Sequence, residues 1–231
     1  MMEMDYPLHP PGTLVDTIYD VIKKEIAASH LKPGEKLNSR VLAERYQVSE
    51  TPIKQALNRL ITEGLVESIP RKGMRVRMIS WAEIDEILEL RLMLDLFFVS
   101  DVIKNLRENP ELTEQLNNTI LCQTACLDLI EDADYYNRTY ELDNRFHELY
   151  IASSGNSKAL EVFHNLNSHV YSSFIYGRQP KEQTLEGIRE HQNILGTLVN
   201  GDEDKAKELI TIHISNARNH IYAALKHNDQ L

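Results

Sequence analysis

After Trp81 no stretch of the sequence reads as a β-strand, and that silence constrains the fold more than any other feature. Apolar residues instead recur at helical spacing over about 81–108, 111–131, 134–154, 158–177, 181–200 and 202–226. The polar breaks "RENPEL", "SSGNSK" and "NGDEDK" separate several of these segments. Asp202 is placed to cap the last one, with acidic residues following in its first turn. Helices this numerous, with short connections and no sheet to cover, bury their apolar stripes against one another. The prediction is an all-α bundle over 80–231.

Residues 1–79 are patterned differently. Leu14, Ile18, Val21, Ile22 and Ile26 form one helical face, which ends before the turn opened by Pro33-Gly34. Ser39 is predicted to cap the short helix "SRVLAERY", and "QVS" to turn the chain. Ser49 then caps "ETPIKQALNRLITEGL", which accepts Pro52 in its first turn, buries Ile53, Ala56, Leu57, Leu60 and Ile61, and closes at Gly64. "LVESIP" and "MRVRMI" read as two short strands joined by the basic turn "RKG". Helix, short helix, turn, helix and hairpin is the order of a winged helix-turn-helix. The expected fold class is therefore mainly α: a winged helix-turn-helix over 1–79, followed by the helical bundle.

The net charge of −10 argues against nucleic acid when taken over the whole chain. Its distribution does not. Residues 1–80 hold 12 Lys and Arg against 10 Asp and Glu, whereas residues 81–231 hold 13 against 25. A slightly basic head on an acidic body suits two domains with different partners. No apolar run approaches the roughly 20 residues needed to span a bilayer. The opening "MMEMDYPLHPPG" lacks the plan of a signal peptide. Cys122 and Cys126, one helical turn apart, read as small buried residues. A soluble, cytoplasmic protein without a membrane partner is expected.

The stretch "LKPGEKLNSRVLAERYQVSETPIKQALNRLITEGLVESIPRKGMRV" resembles the winged-helix domain of GntR-type bacterial transcription regulators, through its S-x-TP-x-[KR]-x-AL-x-RL…EGLV core. The resemblance implies that double-stranded operator DNA is met by Arg40, by Ser49, Glu50, Thr51 and Lys54 at the start of the third helix, and by Arg71, Lys72 and Gly73 at the wing tip. The chemistry agrees. Hydroxyls and helix N-terminal amides suit phosphates, Arg and Lys suit phosphates or guanine edges, and Gly73 permits close approach. Glu50 and Lys54 depart from the family, many of whose members carry Arg at both places. Lys lacks the bidentate fork of Arg, and Glu50 repels phosphate yet can accept from cytosine.

In the body, several polar residues stand where apolar ones are expected. Tyr136, Tyr140, Tyr150 and Ser154 follow one stripe, on which the intervening positions are Asp143 and His147. His191 falls on the face defined by Leu185, Ile188, Leu195 and Leu198, and His213 on that of Ala206, Ile210, Ala217 and Ala224. Burying one such neutral group without a partner costs roughly 2–7 kcal/mol. One shared divalent metal would satisfy all four, and imidazole with carboxylate suits zinc, nickel or manganese. Hydrogen-bonded core histidines account for the spacing equally well. His220 shares the face of His213, and His164 and His169 are weaker candidates.

"RLMLD" at Arg91, D-x-x-x-H at Asp143 and His147, "SGN" at 154–156, "EH" at 190–191 and the late His213 are similar to the FCD effector domain of the FadR subfamily. Many such domains hold a metal through one Asp and three His at these positions, which implies Asp143, His147, His191 and His213 here. The resemblance further implies a homodimeric regulator of metabolic genes, expected to be a repressor, that senses a small organic carboxylate. Arg91 is the candidate carboxylate clamp, with Asn216 and Arg178 as further effector contacts. Effector binding is expected to release DNA through reciprocal coupling. Two rivals are a metal-dependent hydrolase or lyase carrying a DNA-binding head, and a regulator whose metal is purely structural.

Overall fold

The structure, a computed structural model, describes residues 12–27, 30–78, 80–129, 133–166 and 180–226. The chain divides into two compact units, Met1–Met78 and Ile79–Leu231. Ten α-helices and one small sheet are found among the described residues.

In the first unit, α1 (Leu14–Ala27), α2 (Ser39–Tyr46) and α3 (Glu50–Thr62) pack around Ile22, Ile26, Ile53, Ala56, Leu57 and Leu60, all fully buried. The predicted stripes of α1 and α3 supply this core, except that Leu14 is exposed and Val21 and Ile61 are only half-buried. The cap of α2 differs from expectation. Asn38, not Ser39, occupies the cap position, and its side chain accepts hydrogen bonds from the amides of Arg40 and Val41. Asn reaches both orphan donors from there, so Ser39 becomes the first helical residue. Ser49 stands at the cap of α3 with extended backbone but makes no side-chain capping bond. Between α2 and α3 the chain reverses through Gln47 in the left-handed region, φ 56°. The Val48 amide then reaches back to the Ala43 carbonyl, closing the helix end.

The hairpin is β2 (Val66–Ile69) with β3 (Gly73–Val76), antiparallel, pairing Val66 with Val76 and Ile69 with Gly73. A strand absent from the sequence reading, β1 (Lys36–Leu37), adds to the far edge of β3, giving the order β1-β3-β2. Two residues are too few for an alternating pattern to register, and here the pairing itself makes the strand.

The second unit runs α4 (Trp81–Phe97), α5 (Val99–Glu108), α6 (Pro110–Leu129), α7 (Ala133–Ala152), α8 (Ser157–Asn165), α9 (Lys181–Asn200) and α10 (Glu203–Lys226). The single helix predicted over 81–108 is broken at Phe98, where φ −93° and ψ 4° leave the helical basin. Neither Pro nor Gly marks the break. The Phe98 amide still reaches the Leu94 carbonyl and the Val102 amide the Phe98 carbonyl, so few hydrogen bonds are lost. The reorientation lets α5 bury Val99, Val102 and Leu106 with Leu116, Ile120, Phe146, Phe163, Ile188 and Leu198. Asn156 caps α8, and Gly201, at φ 76°, ends α9. Asp202 accepts from the Lys205 amide, as a cap of α10 should. Arg178, His169, the side chain of Tyr136 and the later half of the predicted 158–177 helix lie outside the described residues.

Candidate metal centre and nucleic-acid interface

α7, α9 and α10 each present one buried histidine to a common point. His147 Nε2 lies 3.1 Å from His191 Nε2, His191 Nε2 lies 3.3 Å from His213 Nε2, and His213 Nε2 lies 3.3 Å from His147 Nε2. Three ligands held about 2.0–2.1 Å from one ion are about 3.3 Å apart if tetrahedral and about 2.9 Å apart at adjacent octahedral positions. The triangle falls between these values.

Protonation sharpens the fit. Burial pushes His147 and His191 well below the ordinary imidazole range, and the nearby Arg91 charge and the other histidines push the same way. Both rings are neutral at pH 7. His213 Nδ1 donates to Glu190 Oε2 at 2.6 Å, which leaves Nε2 as the ring atom turned toward the other two histidines. However the protons are distributed over the three Nε2 atoms, hydrogen bonds cannot satisfy all three contacts at once, because each N–H needs a bare nitrogen opposite it. A cation satisfies all of them together.

Asp143 borders this triangle. Its carboxylate oxygens lie 4.0 Å from His147 Nε2 and 3.8 Å from His191 Nε2, and its side chain stays 19% exposed. The three histidines are thus in mutual contact, with the aspartate one step outside.

Residues that the sequence reading assigned no role hold the rings in place. Phe146 stacks on His191, ring centroids 4.1 Å apart and planes 17° from parallel. Glu190 accepts from His213 on one oxygen and from Asn216 Nδ2, at 2.5 Å, on the other. Burial alone would raise the Glu190 carboxyl, but these two hydrogen bonds hold it below its ordinary value and keep it ionised. Asn216, expected to touch an effector, thus spends an amide donor on Glu190. Arg91 is also turned inward: it is buried, and its Nε lies 3.7 Å from Asp95 Oδ2, one turn further along α4. Burial raises Asp95 to about 6, against the pull of Arg91 and His213. A small cavity beside the histidines is lined by Asp95, Phe146, His147, Tyr150, Ile194, Ile210 and His213. His220 pairs instead with Glu186, and His164 with Glu148.

In the first unit, Ser49, Thr51, Lys54, Gln55 and Asn58 are exposed at the start and along one side of α3. Lys54 pairs with Glu50 at 2.7 Å, and Ser39 Oγ donates to the same carboxylate at 3.2 Å. The hydrogen bond from Lys54 is the main cause of a lowered Glu50 pKa. Arg40 is exposed and reaches Glu44 at 3.2 Å. At the hairpin tip Arg71 takes a left-handed backbone, φ 64°, followed by exposed Lys72 and by Gly73 at φ 91°. No atom lies within 4 Å of where a Gly73 Cβ would stand, so that face is open to a large partner.

The family described as "Bacterial regulatory proteins, gntR family" matches residues 14–76, and the FCD domain matches residues 86–216. The chain belongs to the GntR family. It is a transcription regulator with a helix-turn-helix domain and an FCD domain. The HTH-type transcriptional regulator YdhC of Bacillus subtilis is 28% identical over 226 residues, covering 96% of each chain. The HTH-type transcriptional repressor RspR of Escherichia coli is 24% identical over 217 residues, covering 92% of this chain and 91% of its own. Escherichia coli McbR/YncC has a similar fold: TM-score 0.68 at 20% identity, over 92% of this chain and 98% of that one. These domains and relatives are those of transcription regulators, not enzymes, which removes the hydrolase or lyase alternative. Among the described residues no helix is long and apolar enough to cross a membrane.

Asp95 and Glu190 were within reach of sequence reasoning in this GntR-family chain. Asp95 closes "RLMLD" one turn after Arg91, and Glu190 adjoins His191 in "EH". Phe146 carried no such signal, because an aromatic beside a histidine is ordinary core.

Proposed function

We propose that this GntR-family protein, of the FadR subfamily, is a cytoplasmic, homodimeric repressor of metabolic genes that senses a small organic carboxylate at a metal-containing pocket. The observation that carries this reading is the convergence of three imidazole Nε2 atoms, 3.1–3.3 Å apart, in a buried site. Asp143, His147, His191 and His213 would hold the ion, zinc first, with nickel or manganese as alternatives. Bound there, a divalent ion supplies a Lewis-acidic anchor for one carboxylate. Arg91, Arg178 and Asn216 are the protein groups proposed to meet the effector, Asn216 acting through Glu190 and His213.

Arg40, Ser49, Glu50, Thr51, Lys54, Arg71, Lys72 and Gly73 are proposed to meet operator DNA, the wing on phosphate and α3 in the major groove. Dimerisation is supported by α4, where Leu90, Met93 and Phe97 form an apolar stripe 45%, 59% and 74% exposed. The negative sign of regulation follows the name of the relative RspR. Effector and DNA then weaken each other's binding by the same factor.

The test combines metal analysis of the purified protein with a gel shift on its own promoter region. One metal per chain and release of DNA by an organic acid are expected. A chain with no metal, or DNA binding that no acid weakens, rejects the reading. His191→Ala separates sensing from scaffolding: DNA binding persists and the acid response disappears if the metal receives the signal, whereas the folded bundle is lost if the metal is only structural.

A further inference from the structure

We infer that Asp95 selects the effector: its buried Oδ1 accepts a hydrogen bond from a hydroxyl or ammonium group that the effector carries in addition to its carboxylate. This rests on the reading of the pocket as a carboxylate sensor. Asp95 is 3% exposed, and its Oδ1 has no hydrogen-bond partner among the described residues. Its Oδ2 faces Arg91 Nε at 3.7 Å. It shares the small cavity with His147 and His213.

The rest of the lining leaves Asp95 as the acceptor available to a ligand. Phe146, Ile194 and Ile210 are apolar, and the histidine Nε2 atoms point at one another. The Tyr150 hydroxyl donates to the Asp95 backbone carbonyl at 2.7 Å, which also fixes where this turn of α4 stands. The backbone that carries this carboxylate is therefore held in place before a ligand arrives.

A buried acceptor left unmatched is costly, so such a site discriminates against ligands that lack the donor. A plain monocarboxylate brings a second negative charge near Asp95 and no proton to share. A hydroxyl or ammonium beside the acid turns the same contact into a charge-assisted hydrogen bond. The Arg91 charge offsets that of Asp95, so the pair costs the site little net charge.

Calorimetry on the full-length, zinc-loaded protein tests this with matched acids: glycolate against acetate, lactate and alanine against propionate, malate against succinate. The donor-bearing member of at least one pair is expected to bind about tenfold or more tighter. Asp95→Ala is expected to bring the pair within about twofold by weakening the donor-bearing acid alone. Asp95→Asn, which keeps the shape and removes the charge, is expected to weaken alanine more than lactate and serves if the alanine variant does not fold. Equal binding of both members to the wild type, or a preference that survives Asp95→Ala, overturns the inference and leaves the carboxylate reading intact. Failure of every acid to bind rejects the carboxylate reading, and the inference with it.

Discussion

Glu190 Oε2 lies 2.6 Å from His213 Nδ1, and through that contact a residue outside the triangle decides which nitrogen of His213 faces its centre. An ionised carboxylate only accepts, so Nδ1 carries a proton toward Glu190 and Nε2 is the atom turned to His147 and His191. Glu190→Gln removes the charge and lets either tautomer form. Metal affinity should fall by about tenfold to a hundredfold, with helix content unchanged. Competition with a chromophoric chelator measures this, and unchanged affinity would remove Glu190 from the site.

The metal-free protein should lose stability on mild acidification. His147 and His191 are depressed well below 6.5, so from about pH 6.5 downward the unfolded chain binds two more protons there than the folded one. Asp95, raised to about 6, works the other way and binds one extra proton in the folded chain below that pH. The net of one proton gives a loss of about 1.4 kcal/mol per pH unit between about pH 6 and 5. Urea denaturation across that range reads the slope. A flat or opposite slope would mean that the histidines are already charged in the fold.

Charge on the proposed DNA-facing surface is partly neutralised within the head. Glu50 holds Lys54 at 2.7 Å, so Glu50→Gln should tighten binding to non-specific duplex several-fold and make it more salt-sensitive. Lys72→Ala at the wing tip should do the reverse, lowering the salt slope by about 1. Fluorescence anisotropy over a range of potassium chloride concentrations resolves both. On the cognate operator Glu50→Gln should instead weaken binding if the carboxylate reads a cytosine.

The apolar stripe of α4 gives a test of assembly. Phe97, 74% exposed, stacks edge-on against buried Phe98 at 4.9 Å. Phe97→Asp should shift the protein from dimer to monomer in sedimentation at micromolar concentration, with little loss of fold because the side chain already faces outward. A dimer unaffected by Phe97→Asp and Met93→Lys together would place the interface elsewhere.

The sequence by itself determined the helical body, the winged head and the stripe positions of His147, His191 and His213. Hydrophobic period and turn chemistry are local properties, and a polar residue on an apolar stripe is visible wherever it occurs. It did not determine that α4 and α5 part at Phe98, since the break costs few hydrogen bonds and uses neither Pro nor Gly. Nor did it place Asp143 outside the triangle, because spacing of i and i+4 puts two residues on one face without saying how far a second helix stands. Tertiary structure alone set three Nε2 atoms 3.1–3.3 Å apart, turned Asn216 onto Glu190 and put Asp95 in a cavity wall with its Oδ1 unpartnered. Those relations depend on how α4, α7, α9 and α10 interlock. Close packing of many interchangeable aliphatic side chains sets that register, and no local pattern encodes it.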